Sequence, residues 1–387
     1  MFESFNVKDG GCNNWEPPRG YALSDESDYR DLNRLLAKGY VDHVVDPLTE
    51  ISEDLFELRH PELQNDMAAR SNFVEEFSRD SDGYGVWFYF PWRRSLVRYP
   101  NEKDHYDLRT YRNKPLISEA EQARLHDSTV AIFGLSVGSN VVDSLVQAGI
   151  GGTLLIGDSD IVTPTNLNRI RASMQDVGLA KTTVTGRKVS EIDPYISQIH
   201  LRDGYADDTD LVLEKVNPSV IVEEVDDLSV KAELRRAAGR LAIPLVMAGD
   251  IGERSIVDIE RHDDGEVRPF NGKISQSDYE MLLSGNVSVA DQERILVKIN
   301  GLRNLSPRLI DASMRRGIDI AGFPQLGSVA SMGASIATVA IRDILTGGAL
   351  KSGSYVANPR RMLRLGSQQS PLEAASIVHR FLTRHKP

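Results

Sequence analysis

The residues best placed to do chemistry fall in a few short segments. Gly134-Leu135-Ser136-Val137-Gly138-Ser139 is a glycine-bearing turn between an apolar run and a helical pattern. Asp158-Ser159-Asp160 ends a second apolar run, and Asn166-Leu167-Asn168-Arg169, Lys181 and Glu223-Glu224-Val225-Asp226-Asp227 follow in order. A turn of the first kind brings backbone N–H groups and a helix N-terminus toward a phosphate, and bulky side chains would block that approach. Its spacing departs from GxGxxG, so by itself it fits a ligand-free strand-to-helix turn equally well. A carboxylate at Asp158 can accept from ribose hydroxyls, which serves NAD and ATP alike. Arg169 and Lys181 separate the two nucleotides. Hydride transfer needs little cationic charge beyond the pyrophosphate, whereas nucleotidyl transfer needs guanidinium and ammonium groups around three phosphates as pyrophosphate leaves. Each of these residues is, singly, more often a solvated surface group; their order and spacing together point to ATP.

Composition narrows the classes of function. The chain has 387 residues, 41% hydrophobic and 26% charged, as in an ordinary globular protein. Its formal net charge is -11 and no lysine or arginine cluster suits a phosphate backbone, so nucleic acid is a poor primary partner. No run of about 18 apolar residues predicts a membrane span. The start lacks a signal-peptide pattern, which makes the cytoplasm the default expectation. The single cysteine, Cys12, excludes an internal disulfide and a cysteine-only zinc site.

Alternation of short apolar runs with helical patterns must position the chemistry. Strands are predicted at 129–133, 153–156, 197–201, 219–223 and 244–247, with helices at 141–148, 180–192, 208–215 and 228–240 between them. Such a series predicts an α/β fold: a doubly wound, Rossmann-like and mainly parallel sheet, with ligands at the carboxyl ends of its strands. Residues 254–260 alternate like an exposed antiparallel strand, extending the sheet. A small-residue helix is predicted from Gly327 to Leu345, where another element can pack close. Ser370-Pro371-Leu372-Glu373 carries a cap serine, a proline at the first helical position and a glutamate three residues on, which starts a further helix.

The N-terminal region is expected to be helical and extended. Leu48, Ile51, Leu55 and Leu58 form one helical stripe ending before Pro61. The aromatic run from Gly85 to Trp92 reads as core or interface, with a peptide-docking surface as the minor alternative. The expected division is 1–100 as an N-terminal extension for substrate or peptide recognition, 101–268 as the nucleotide-binding domain, and 269–387 as a helical part completing the fold.

The stretch from Val130 to Asp226 resembles the ThiF-type, ubiquitin-activating-like adenylyltransferases, whose pattern runs strand, glycine-rich turn, Asp-x-Asp, Asn-Leu-x-Arg, a downstream Lys and an Asp after the fourth strand. Phe323-Pro324-Gln325-Leu326-Gly327 through Arg342 resembles the small-residue helix of the same family, so about 250 residues from Leu108 onward are covered. The resemblance implies an ATP-dependent enzyme that activates a carboxylate as an acyl-adenylate. It places Gly134, Ser136, Gly138, Asp158 and Asp160 around the nucleotide, with Asp158 on the ribose. Asn166 and Arg169 take the triphosphate-contacting places, Lys181 that of the phosphate-binding lysine, and Asp226, beside Asp227, that of the aspartate linked to magnesium and catalysis. It further implies a homodimer in which Arg112, with Arg109 as the alternative, reaches the partner's triphosphate. The helix near Gly333 and the aromatics near Trp92 are the expected apolar contacts of that dimer.

Departures from the family pattern carry expectations of their own. Ser136 stands where the family has glycine. The paired zinc cysteines are missing, so no zinc is expected, and no cysteine in the adenylation half can serve as nucleophile. The N-terminal extension looks like the leader of a subgroup often fused to a nitroreductase-like domain, which this sequence lacks. The substrate remains open between a peptide, a carrier-protein C-terminus and a small acid. The alternatives to adenylation are an NAD-dependent Rossmann oxidoreductase and a catalytically silent activating-enzyme-like scaffold.

Overall fold

A computed structural model describes residues 15–79, 81–206, 208–366 and 369–384. Cys12 lies outside the described residues. The chain separates into two compact units, the first comprising the described residues up to His126 with Val146–Ile150 and Gly186–Ile196, the second the remainder.

In the first unit, strands β1 (Arg19–Tyr21), β2 (His43–Val45), β3 (Val86–Phe90) and β4 (Ser95–Tyr99) form a sheet in the order β1-β3-β4-β2. The aromatic run supplies β3, and its Trp87, Phe88 and Phe90 are buried in the core, while Tyr89 and Trp92 are half-buried. Pro91 has no N–H for a ladder, and the strand stops at Phe90. The Trp92 indole N–H donates to Glu191, which also takes both arms of Arg93 at 2.8 Å. The helix Leu48–Arg59 forms as its stripe predicts, burying Ile51, Leu55 and Phe56 against the helix Met67–Arg79.

The second unit holds strands β5 (Thr129–Phe133), β6 (Thr153–Gly157), β7 (Ser197–Leu201), β8 (Val220–Glu223), β9 (Leu245–Asp250), β10 (Ser255–Glu260) and β11 (Gly353–Ala357) in one sheet, ordered β11-β10-β9-β8-β5-β6-β7. Strands β5 to β9 are mutually parallel, and β10 and β11 continue the sheet antiparallel. This is the doubly wound, mainly parallel fold with an antiparallel extension. The strand order reverses between β5 and β8, and a crevice for a ligand opens at such a switch point. Val130, Ile132, Leu154, Ile156, Val220 and Val222 are sealed from solvent, as strands covered on both faces must be.

One expectation is corrected. β10 is buried along its whole length, not exposed, because it pairs on both edges and distant partners cover its polar side chains. Asp258 meets Lys273 at 2.6 Å, and Glu260 meets Arg235 at 2.6 Å. The helix Gly327–Leu345 is long and apolar enough, by length and composition, to cross a membrane, although no uninterrupted apolar run announces it. It packs its small-residue face on β9 and β10. A Cβ on Gly333 would lie 2.5 Å from the Ser255 hydroxyl, so glycine there allows the close approach. The Gly333 face of the helix and the buried aromatics of β3 thus pack within the chain, while Val339 on the same helix is exposed.

Candidate functional site

The turn after β5 is built on Gly134, whose φ is +88°, a conformation that penalises any side chain. A Cβ there would stand 2.4 Å from the Glu224 carbonyl, so the close passage of this turn over the end of β8 also requires glycine. Gly138 opens the helix Gly138–Gln147, where a Cβ would meet the Ile132 side chain at 3.3 Å and that of Glu224 at 3.4 Å, a tight fit that a slight shift relieves. The N–H groups of Ser136, Val137 and Gly138 donate to no described residue.

Asp158 leaves the end of β6 and binds the turn to the next segment. Its Oδ2 accepts from the Leu135 N–H at 2.6 Å and its Oδ1 from the Asp160 N–H at 2.8 Å. Lys181, buried at the start of the helix Lys181–Ile192, places its Nζ 2.7 Å from Asp160 and 3.4 Å from Asp158. The pair is open on one side only, since the Asp160 side chain is 70% exposed while those of Lys181 and Asp158 are nearly closed.

Arg169 is held differently. Its Nε donates to Ser136 Oγ at 3.1 Å, and its Nη1 to the Thr165 carbonyl and to Asn168 Oδ1 at 3.0 Å each. All three acceptors are neutral, and Arg169 forms no ion pair with a described residue. Asn140 fixes the same segment by donating to the Arg169 carbonyl at 2.7 Å, and Ser139 Oγ accepts from the Arg171 N–H at 3.2 Å.

Ser136, Arg169, Asp226 and Asp227 line one cavity of about 1190 Å³. The structure thus brings together the turn, the arginine and the two aspartates, with Asn168 also on the wall. Asp158, Asp160 and Lys181 stand apart from that lining, joined to it through the Leu135 N–H. Asn166 caps its own turn: its Oδ1 accepts from the Thr163 N–H at 3.0 Å. Asp227 caps the helix Leu228–Leu241, accepting from the Ser229 and Val230 N–H groups. Asp226 is exposed and accepts from no described donor. In the first unit, Arg112 is exposed on the turn Tyr111–Asn113. Arg109 is instead tied to Asp193 at 2.7 Å and to the Val146 carbonyl.

Acidic residues absent from the expected site also line this cavity. Glu224, fully buried beside Glu223, accepts from the Ala248 N–H at 2.7 Å, and burial followed by the neighbouring Glu223 charge pushes its carboxyl well above the usual range. Burial would also raise Glu223, but Lys231 at 2.6 Å and Arg235 at 2.9 Å outweigh it and hold that carboxyl down. Asp250 ends β9 on the cavity wall, and burial pushes its carboxyl up to about 6 against the opposing charge of Arg169. Its sequence signal was the one that marks Asp158: an acid closing an apolar run at the carboxyl end of a parallel strand.

Among the described residues no cluster of three or more His, Cys, Asp or Glu could hold a metal ion. A lone exposed carboxylate such as Asp226 suits a Mg²⁺ ion that keeps phosphate and water among its ligands.

Residues 109–346 match the ThiF family, and the chain belongs to that family. It is 32% identical over 269 residues to "Uncharacterized protein MT1398" of Mycobacterium tuberculosis strain CDC 1551, covering 69% of this chain and 37% of that protein. It is 34% identical over 128 residues to the tRNA threonylcarbamoyladenosine dehydratase of Escherichia coli K12, covering 33% of this chain and 47% of the relative. With the sulfur carrier protein ThiS adenylyltransferase of the same organism it shares 29% identity over 133 residues, 34% of this chain and 52% of the relative. The chain spans between about a third and a half of the length of these relatives.

Proposed function

We propose that this chain binds Mg-ATP at the switch point of the second unit and uses it to activate a carboxylate. A carboxylate oxygen attacks the α-phosphorus, the bond from that phosphorus to the bridging oxygen breaks, and acyl-adenylate and pyrophosphate result. The observation that carries this reading is Arg169, whose guanidinium lines the cavity on neutral acceptors alone and so keeps its charge for phosphate. Placing charge in advance where it develops is an effective source of catalysis. One relative carries the name adenylyltransferase, in agreement.

In this reading the unpaired N–H groups after Gly134 receive phosphate oxygens, with Ser136 and Gly138 shaping the turn. Asp158 takes the ribose hydroxyls with lone pairs beyond those given to Leu135 and Asp160. Lys181, presented by the Asp158 and Asp160 pair, approaches the phosphates from the open Asp160 side. Asn166 acts by holding the turn that carries Arg169, and Asp227 by capping the helix behind Asp226. Asp226 is the carboxylate toward Mg²⁺, an ion that would offset phosphate charge. The substrate is a peptide, a carrier-protein C-terminus or a small acid.

Exchange of labelled pyrophosphate into ATP, screened over peptides and small acids, tests the reading. Acid-dependent exchange that is lost in Arg169→Ala is expected; NAD binding with ATP silent would overturn it. The same reading has Arg112 acting in trans within a homodimer. Mixing Arg112→Ala with Asp226→Asn chains should then restore one working site per heterodimer, and no recovery in confirmed heterodimers would remove Arg112 from that role.

A further inference from the structure

We infer that Asp250 recognises a protonated amine on the acid to be activated, so that the substrate is an amine-bearing carboxylic acid; this rests on the adenylation reading above. Both carboxyl oxygens of Asp250 are shut from water and have no hydrogen-bond partner among the described residues. Buried polar groups are nearly always satisfied, and one left without a donor is a site that a ligand can complete. The residue as a whole is only half-buried and lines the cavity in which a ligand would lie.

The charges around the cavity specify that ligand. Asp226, Asp227, Glu224 and Asp250 stand on the wall. Of the cations on that wall, Lys231 is held by Glu223 at 2.6 Å, and Arg316 lies over the Phe323 ring at 4.7 Å. Arg169 is the cation that acts on Asp250. When a triphosphate takes the Arg169 charge, Asp250 loses its compensation and faces a site made still more negative by the substrate carboxylate. A simple carboxylate brings no remedy. An ammonium group beside that carboxylate neutralises Asp250 and supplies its missing donors. Asp250 also lies at the carboxyl end of a parallel strand, where ligands of such sheets bind.

The test is pyrophosphate exchange with matched pairs of acids at saturating Mg-ATP: glycine with acetate, alanine with propionate, and glycylglycine with its N-acetyl derivative. Wild type, Asp250→Asn and Asp250→Glu are compared, with ATP affinity measured separately by calorimetry. The amine-bearing member of a pair should be preferred at least tenfold in wild type. Asp250→Asn should abolish that preference by raising KM for the amine-bearing acid while leaving the ATP Kd within twofold, and Asp250→Glu should restore part of it. Equal use of paired acids, or an unchanged preference in Asp250→Asn, would overturn the inference and leave carboxylate activation standing. Exchange with none of the acids, in protein that binds ATP, would also overturn the inference, and would leave activation of a longer peptide or a carrier-protein C-terminus standing.

Discussion

The Nε of Arg169 donates to the Oγ of Ser136 at 3.1 Å, so the turn after β5 and the Asn-Leu-Asn-Arg segment are coupled by their side chains. Serine at this position is a departure from the family pattern, and here the hydroxyl orients a guanidinium on the cavity wall. Arg169→Ala should lower pyrophosphate exchange by roughly 100- to 1000-fold, the usual scale for losing one preorganised charge-stabilising group. Ser136→Ala should lower it only about 3- to 10-fold, because one of three anchoring bonds is lost. Equal losses in the two variants would mean that Ser136 contacts the nucleotide itself.

Gly134 and Gly178 separate steric from conformational cost. Both have positive φ, at +88° and +90°, but a Cβ on Gly178 meets nothing within 4 Å whereas one on Gly134 overlaps the Glu224 backbone. Gly178→Ala should cost about 1–2 kcal/mol in denaturant unfolding. Gly134→Ala should cost at least ~3 kcal/mol or prevent folding, because the turn must also leave the end of β8. Similar losses would remove the close passage at Glu224 as the reason for glycine.

Arg235 lies fully buried between Glu223 at 2.9 Å and Glu260 at 2.6 Å, over the Phe270 ring at 3.9 Å. Arg235→Met should destabilise the fold by roughly 3–5 kcal/mol, because both carboxylates lose their shared partner in the interior. A loss below about 1 kcal/mol in urea unfolding would contradict the network as described.

Asp250 makes a pH prediction whose sign follows from its raised pKa. Burial pushes the folded carboxyl up to about 6 while the unfolded one keeps the ordinary aspartate value of 3.8, so the folded state holds the extra proton between them. Its contribution to stability is therefore intact below the lower value and is lost as pH rises through the upper one. Asp250→Asn should match wild type near pH 4 and exceed it by about 2 kcal/mol above pH 7, a figure reduced for the side chain's partial exposure. Arg169, the opposing charge, and Glu224, which interacts with Asp250, belong to the same titration and must be intact in the comparison. A pH-independent difference would show that Asp250 is not a titrating buried acid.

Much of the second unit was legible because its chemistry is local. Buried parallel strands are short apolar runs closed by Gly157, Asp158 or Glu223, and the strands expected at 129–133 and 197–201 have those same bounds in the structure. The Ser370 capping box is likewise a pattern of neighbours. β10 was misread because the partners of Asp258 and Glu260 come from Lys273 and Arg235, and only tertiary packing brings those near. Asp250 carried a local sign, an acid closing an apolar run, but the burial that perturbs it belongs to its surroundings and not to the residues beside it. Asn166 was expected on the triphosphate, and the cap it forms with Thr163, three residues away, was readable from the same segment. In the first unit, β1 and β2 are three residues long, too short for any periodicity to register.

Nucleotide choice tests the central claim most directly. Calorimetric titration of the full chain with Mg-ATP and, separately, with NAD should give saturable heat for ATP alone, and Arg169→Ala should weaken ATP binding without creating affinity for NAD. Binding of NAD with no response to ATP would contradict the account.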